Sequence, residues 1–396
     1  MSAMPETSRL IGFFHGFSRV PSSGRVIPEI EGLRFTAIGA VVAYHIGFFL
    51  AVGYPPYWAT PDENPWNTHV VLEGRHGVEL FFVISGFVLA LPFAAHYLGR
   101  APAVELKRYL FRRLVRIVPP YILVLLVVFA CKVWFLGQSA RDLFPHLVAS
   151  VFYLHGLAYA HGSVIVPVAW TLEIEIQFYL LMPALAFLFA VRRTVVRRIV
   201  IVALGMAIMS GQILLIPHGS VLAFTLANNL QYFFVGFLLA DIYLTEWKEA
   251  RTHERKWDFV AGGIGTLLLL SGSVRPELMR FSLPVMLFMF CFAVFQSVVV
   301  HRVLTAPLVT LVGGMCYSIY LIHYFVIPLA LRYTHAISFA GPFTVNLLMQ
   351  LIVITPFLLV ASAAFYAFVE RPCMSKERFG QIILRTRHVS AGPQCL

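Results

Sequence analysis

About ten runs of apolar residues, each near the twenty needed to cross a bilayer as a helix, dominate this chain and leave room for little else. They fall near 33–52, 77–96, 114–136, 167–190, 196–216, 222–244, 258–272, 281–300, 306–330 and 343–369. The expected fold class is all-α, a polytopic transmembrane helix bundle of about ten spans. Only 12% of residues are charged and 59% are hydrophobic, with a mean hydropathy of +0.80. Soluble domains average about 25% charged. The run 258–272, with Gly262, Gly263 and Gly265, is short. Residues 143–158 (LFPHLVASVFYLHGLA) are too short and too close to the next run to cross, and suit an interfacial or re-entrant piece.

The net charge of +11 suggests an anionic partner until its distribution is read. Of the 30 Lys and Arg, 24 fall on one side of the expected spans, five on the other (Arg75, Arg141, Arg275, Arg280, Arg332), and Lys132 within a span. This positive-inside asymmetry places both termini in the cytoplasm. The basicity is topological, so nucleic acid is not an expected partner whereas membrane lipids are. Residues 1–28 form a cytoplasmic segment without a secretory apolar region, in which IGFFHGF suits the membrane surface. Residues 29–372 form one membrane domain and 373–396 a cytoplasmic tail. Loops 53–76 and 137–166, rich in aromatic, Pro and His residues, suit either a cavity cover or an aromatic interfacial belt.

Within this apolar background, Arg34 and His45 stand out. Eleven residues apart in GLRFTAIGAVVAYHIGFFL, they return to nearly the same helix face, roughly 16 Å apart along the axis. Intramembrane polar groups cost several kcal/mol unless partnered, so each asks for a role. On the expected topology His45, Glu79, Glu173 or Glu175, and His323 converge on one depth in the outer half-leaflet. A carboxylate beside an imidazole is a common way to orient a general base. Bland readings stand beside each. His45 and His323 can be satisfied structural histidines, the latter through Tyr320 one turn earlier. Glu79 can be an interfacial residue at a helix start. Glu175, one turn before Tyr179, is expected inside, and Glu173, about 200° around the helix, at the headgroups. Ser85 in ISGF suits close helix packing with Gly86 better than nucleophilic attack.

On the cytoplasmic side, KRYLFRRLVRIVPPY puts Arg113 and Arg116 on one helix face. Guanidinium forks suit phosphate oxygens, while a plain topogenic cluster facing headgroups explains the same residues. The five cysteines, at 131, 291, 316, 373 and 395, form no CxxC pair, and the histidines show no metal-ligand spacing. No metal and no permanently bound cofactor are expected.

Six segments together resemble the integral membrane acyltransferase family 3, whose members O-acylate bacterial surface polysaccharides such as lipopolysaccharide and other carbohydrates. They are EGLRFTAIGAVVAYH, GVELFFVISGFVLA, RRLVRIVPPY, WTLEIEIQFYLLMP, YSIYLIH and FVERP, in family order from about residue 29 to 372. The family's Arg and His separated by ten residues fall on Arg34 and His45, its RxxR on Arg113 and Arg116, and its Trp-led Glu motif on Trp170 and Glu175. Glu79 stands where many members have Asp.

The resemblance implies an acyl-coenzyme A donor, acetyl-CoA by preference, with its phosphates on Arg34, Arg113 and Arg116. It implies His45 as general base or acyl carrier, Glu175 or Glu79 orienting it, and Ser85, Trp170, Tyr179, Tyr320 and His323 as pocket or support. The acceptor would be a hydroxyl of a carbohydrate or glycolipid. Many polysaccharide-modifying members carry a fused extracytoplasmic domain. Here transfer is expected to finish in the bundle or to pass to a partner, a homodimer or a separate extracytoplasmic transferase. The rival reading is a proton-coupled exporter or flippase that uses the same His/Glu set as a relay.

Overall fold

The computed structural model describes residues 26–53, 73–215, 221–247, 252–271, 276–337 and 343–374. Residues 1–25 with IGFFHGF, most of loop 53–76, and the tail beyond residue 374 with Cys395 lie outside the described residues. The described chain is helical, with no strand among those residues: α1 (Pro28–Gly53), α2 (Gly77–Tyr97), α3 (Leu106–Trp134), α4 (Ala140–Val151), α5 (His155–Tyr159), α6 (Trp170–Leu185), α7 (Thr194–Leu215), α8 (Leu230–Ile242), α9 (Lys256–Leu269), α10 (Pro276–Gln296), α11 (Val299–Leu304), α12 (Pro307–Gly314), α13 (Cys316–Thr334) and α14 (Phe343–Phe365). The membrane supplies no hydrogen-bond partners to backbone amides, so each apolar run closes its own helical ladder.

Among the described residues, seven helical segments are long and apolar enough to cross a bilayer, and α12 with α13, bent by 70° at their junction, make an eighth if the pair is one span. Two of the ten expected runs give shorter helices. The run 222–244 yields the 13-residue α8, continued by a π-helical turn, and the run 258–272 yields the 14-residue α9. At 1.5 Å per residue, α9 rises about 21 Å, short of the roughly 30 Å hydrocarbon core. The 143–158 segment makes two short helices, α4 and α5, and no crossing.

Packing follows small residues. Gly86 of α2 meets the backbone of Phe233, and Gly236 of α8 meets Val83 and Phe87, so a Cβ on either would overlap main-chain atoms. Such close approach takes the place of a hydrophobic driving force between helices in lipid. Gly86 makes the close packing, which leaves its neighbour Ser85 turned to the interior space described below. Gly313, at the α12–α13 bend, lies against the carbonyl of Glu31 on α1. Gly313→Ala sets a methyl group against backbone, which no rotamer change relieves. It should cost about 1–3 kcal/mol, read as a lowered unfolding temperature in detergent.

Candidate active site

Five helices line a partly open cavity of about 820 Å³, a volume that includes space open to solvent. α1 contributes Arg34, α2 Ser85, α3 Arg113 and Arg116, α6 Glu175 and Tyr179, and α13 Cys316, Tyr317 and Tyr320. Two of the cations are held by acids. Arg34, 7% exposed, donates to Glu31 Oε1 one turn earlier at 2.6 Å. Arg116 faces Glu370 Oε1 at 3.8 Å, while Ser318 Oγ donates to Glu370 Oε2 at 2.6 Å. Glu370 is fully buried, so it is a fixed counter-charge and not a solvated one. Tyr317 Oη donates to the Ile117 carbonyl at 2.7 Å, which ties α13 to α3 beside Arg116. The bend also brings the first residues of α13, Cys316 and Tyr317, to the cavity wall. The positive end of that helix dipole adds to three guanidiniums, a combination suited to anions.

Opposite the arginines, Glu175 Oε1 accepts from Tyr179 Oη at 2.6 Å and from Ser85 Oγ at 3.2 Å. The i,i+4 spacing of Glu175 and Tyr179 puts both on the cavity face of α6. Two hydroxyls therefore orient one carboxylate oxygen and leave Oε2 without a partner among the described residues. Tyr320 closes the wall, its hydroxyl meeting Thr171 at 2.6 Å and donating to the Val168 carbonyl.

Behind Tyr320 lies an imidazole pair. His323, fully buried, donates from Nδ1 to the Tyr320 carbonyl at 2.7 Å, so the expected partner is the backbone of Tyr320 and not its hydroxyl. With that proton placed, neutral His323 presents Nε2 as an acceptor. His45 Nδ1 lies 2.9 Å from the Val41 carbonyl and 3.2 Å from His323 Nε2. Both neighbours accept, which fixes the His45 proton on Nδ1 and leaves Nε2 with its lone pair. Such an imidazole can take a proton.

The expected convergence separates into parts. The carboxylate orienter expected for His45, Glu175 or Glu79, is replaced by His323. Glu175 belongs to the arginine cavity. Glu79 Oε2 lies 3.5 Å from His76 Nδ1, and Glu73 Oε2 lies 2.7 Å from His76 Nε2, away from the cavity wall. Glu175 lies on the interior cavity face with Tyr179, whereas Glu173, expected at the headgroups, is buried and only 1% exposed. The reason is the outer loop, which folds over the start of α6 so that the Gly156 amide donates to Glu173 Oε2 at 2.8 Å. Trp170 does not line the cavity; it packs edge-on against Phe82 and Phe224. Glu31, Thr171 and Glu370 were not foreseen. Glu31, one turn before Arg34, carried an i,i+3 signal.

The loop over Glu173 holds three neighbouring imidazoles. His155 Nδ1 donates to the His161 carbonyl at 3.2 Å, so its Nε2 accepts from His146 Nδ1 at 2.9 Å. Burial, then the His146 and His161 charges, pull the His155 pKa below the ordinary imidazole value of 6.5. The unfolded chain therefore binds more protons just below that value, and stability rises with pH through the window. This contribution is present above about pH 6.5 and fades as the pH falls towards the lowered folded value. Unfolding temperatures should drop on acidification below pH 6.5, and His155→Gln should flatten that dependence. No group of three His, Cys, Asp or Glu among the described residues could hold a metal ion, and the four described cysteines are free thiols.

Fold and site define a polytopic integral membrane protein with a cationic cavity beside a buried imidazole pair. The family model described as an acyltransferase domain matches residues 27–367, and the chain belongs to that family, membrane acyltransferase family 3. O-acetyltransferase OatA of Staphylococcus aureus is 24% identical over 382 residues, 89% of this chain and 58% of that protein. Peptidoglycan O-acetyltransferase OatA of Listeria monocytogenes is 29% identical over 177 residues, 42% of this chain and 25% of that protein. The chain thus spans between a quarter and three fifths of the length of these relatives. No solved structure matches it.

Proposed function

We propose that this protein moves an acetyl group from acetyl-coenzyme A to a hydroxyl of a carbohydrate or glycolipid in the bacterial plasma membrane. The observation that carries this reading is the single cavity that gathers Arg34, Arg113 and Arg116 beside the dipole end of α13. A polyphosphorylated donor matches that charge, with the thioester arm directed past Glu175 and Tyr320 towards His45. His45 Nε2 takes the proton of the acceptor hydroxyl as its oxygen bonds to the thioester carbonyl carbon. Collapse breaks the C–S bond, and the departing thiolate takes the proton from the imidazolium. Placing base and thioester together contributes by orientation as well as by proton transfer.

The test is purified protein in nanodiscs with isotopically labelled acetyl-coenzyme A and candidate surface glycans. Labelled glycan with stoichiometric release of coenzyme A is the expected result. Glycan movement driven by a proton gradient, with no coenzyme A consumed, would establish the exporter reading instead.

A further inference from the structure

A second hollow lies on the other side of the imidazole pair. It is a groove of about 1350 Å³ between α3, α13 and the end of α14, walled by apolar and aromatic side chains apart from one cation, Lys132. From Leu123 to Lys132 it follows α3 for nine residues, about 14 Å. It is open towards the bilayer, with Val127 52% and Leu136 67% exposed. Its inner wall includes Phe49 and Tyr324, whose rings lie 6.4 and 5.4 Å from the His45 ring. Tyr320 of α13 thus faces the arginine cavity, Tyr324 faces the groove, and His323 lies between them. Lys132 is sixteen residues beyond Arg116 on the same helix, about 24 Å away along the axis. Among the described residues its ammonium has no acidic or hydrogen-bonding partner.

We infer that this groove seats the acceptor as a long-chain lipid phosphate, with the hydrocarbon chain along α3, the phosphate on Lys132 and the attached sugar beside His45. This deepens the proposed acetyl transfer and rests on it for the identity of the acceptor. A chain leaving the bilayer for the groove gains packing but no hydrophobic free energy, because lipid tails are as apolar as the wall. Discrimination therefore falls on the one charge. An unpaired cation at the end of an apolar groove matches a phosphate at the end of a hydrocarbon chain. The exposed Trp134 and Phe135, just beyond Lys132, place it near headgroup depth, where a lipid's phosphate lies. Donor and acceptor phosphates then sit at opposite ends of α3, with the imidazole pair between the two hollows.

The experiment uses the full chain in nanodiscs without donor, so its outcome does not depend on the acyl chemistry. A photoreactive polyprenyl phosphate is crosslinked and the labelled peptides are mapped. Labelling of α3 around Leu123–Leu136 and of α13 around Ile322–Pro328 is expected. Unlabelled polyprenyl phosphate should compete about tenfold better than the uncharged polyprenol, the scale of one charge-assisted contact. Lys132→Ala should erase that preference, and Val127→Trp should reduce labelling by both lipids. Label spread evenly over the other lipid-facing helices, equal competition by polyprenol in the wild type, or a preference that survives Lys132→Ala would overturn the assignment. Acetyl transfer by the wild-type protein to a soluble glycan as efficiently as to its lipid-linked form would also remove it while leaving the proposed function intact.

Discussion

His45→Ala should lower transfer from acetyl-coenzyme A by about 10²–10⁴-fold, the usual contribution of a positioned general base, while donor affinity stays within about threefold. The asymmetry follows from the separation of parts. The cationic groups gather in the α1–α3–α6–α13 cavity, whereas His45 lies beyond Tyr320, bonded to Val41 and His323. Removing the imidazole leaves the guanidiniums and their acids untouched. His45→Gln keeps polarity and approximate size but cannot take a proton, and should be as slow as alanine. His323→Ala keeps the reacting nitrogen and loses only its neighbour, so a smaller loss and a displaced pH–rate profile are expected. Initial rates with labelled donor, alongside calorimetric titration of the donor, separate the two effects. A His45→Ala protein that keeps wild-type turnover would sink the assignment. Mass spectrometry of rapidly quenched protein distinguishes base from carrier, since an acyl-carrying imidazole would show its added mass on the peptide containing His45.

Much of this arrangement was legible in the sequence wherever helical periodicity decides it. The Arg34–His45 spacing, the Arg113–Arg116 pair and the Glu175–Tyr179 bond are all consequences of 3.6 residues per turn. Fold class followed from apolar run length. What periodicity does not carry is which neighbour covers a given face. Glu173, expected at the headgroups, is buried because a loop from residues 152–166 folds over the first turn of α6 and binds it through a backbone amide. The His45–His323 contact joins residues 278 apart, and no local rule connects them. Gly313 and Gly314 break one apolar run where α12 must pass the backbone of α1, and run length alone does not show the break.

Arg116→Ala should do two separable kinds of damage. As one of three cavity guanidiniums, its loss should raise the KM for donor by about 10–100-fold, the scale of a charge-assisted hydrogen bond to phosphate. Its loss also strips the guanidinium from Glu370, which is fully buried and accepts from the Ser318 hydroxyl. Removing one partner of a buried pair typically costs about 3–5 kcal/mol because the remaining charge stays desolvated. The two losses respond to different second changes. Glu370→Gln removes the stranded charge while keeping a group that Ser318 can still bond. In the Arg116→Ala/Glu370→Gln double variant, the unfolding temperature should therefore recover towards that of Glu370→Gln alone, whereas donor KM should remain as high as in Arg116→Ala. Glu370→Gln by itself should raise donor KM only a few-fold, through a less firmly held Arg116, and leave kcat close to wild type. If instead the double variant recovers donor affinity together with stability, Arg116 serves the fold through Glu370 and the phosphates are held by Arg34 and Arg113 alone. If Arg116→Ala leaves both quantities unchanged, the cavity is not where the donor binds, and the charge gathered there belongs to topology.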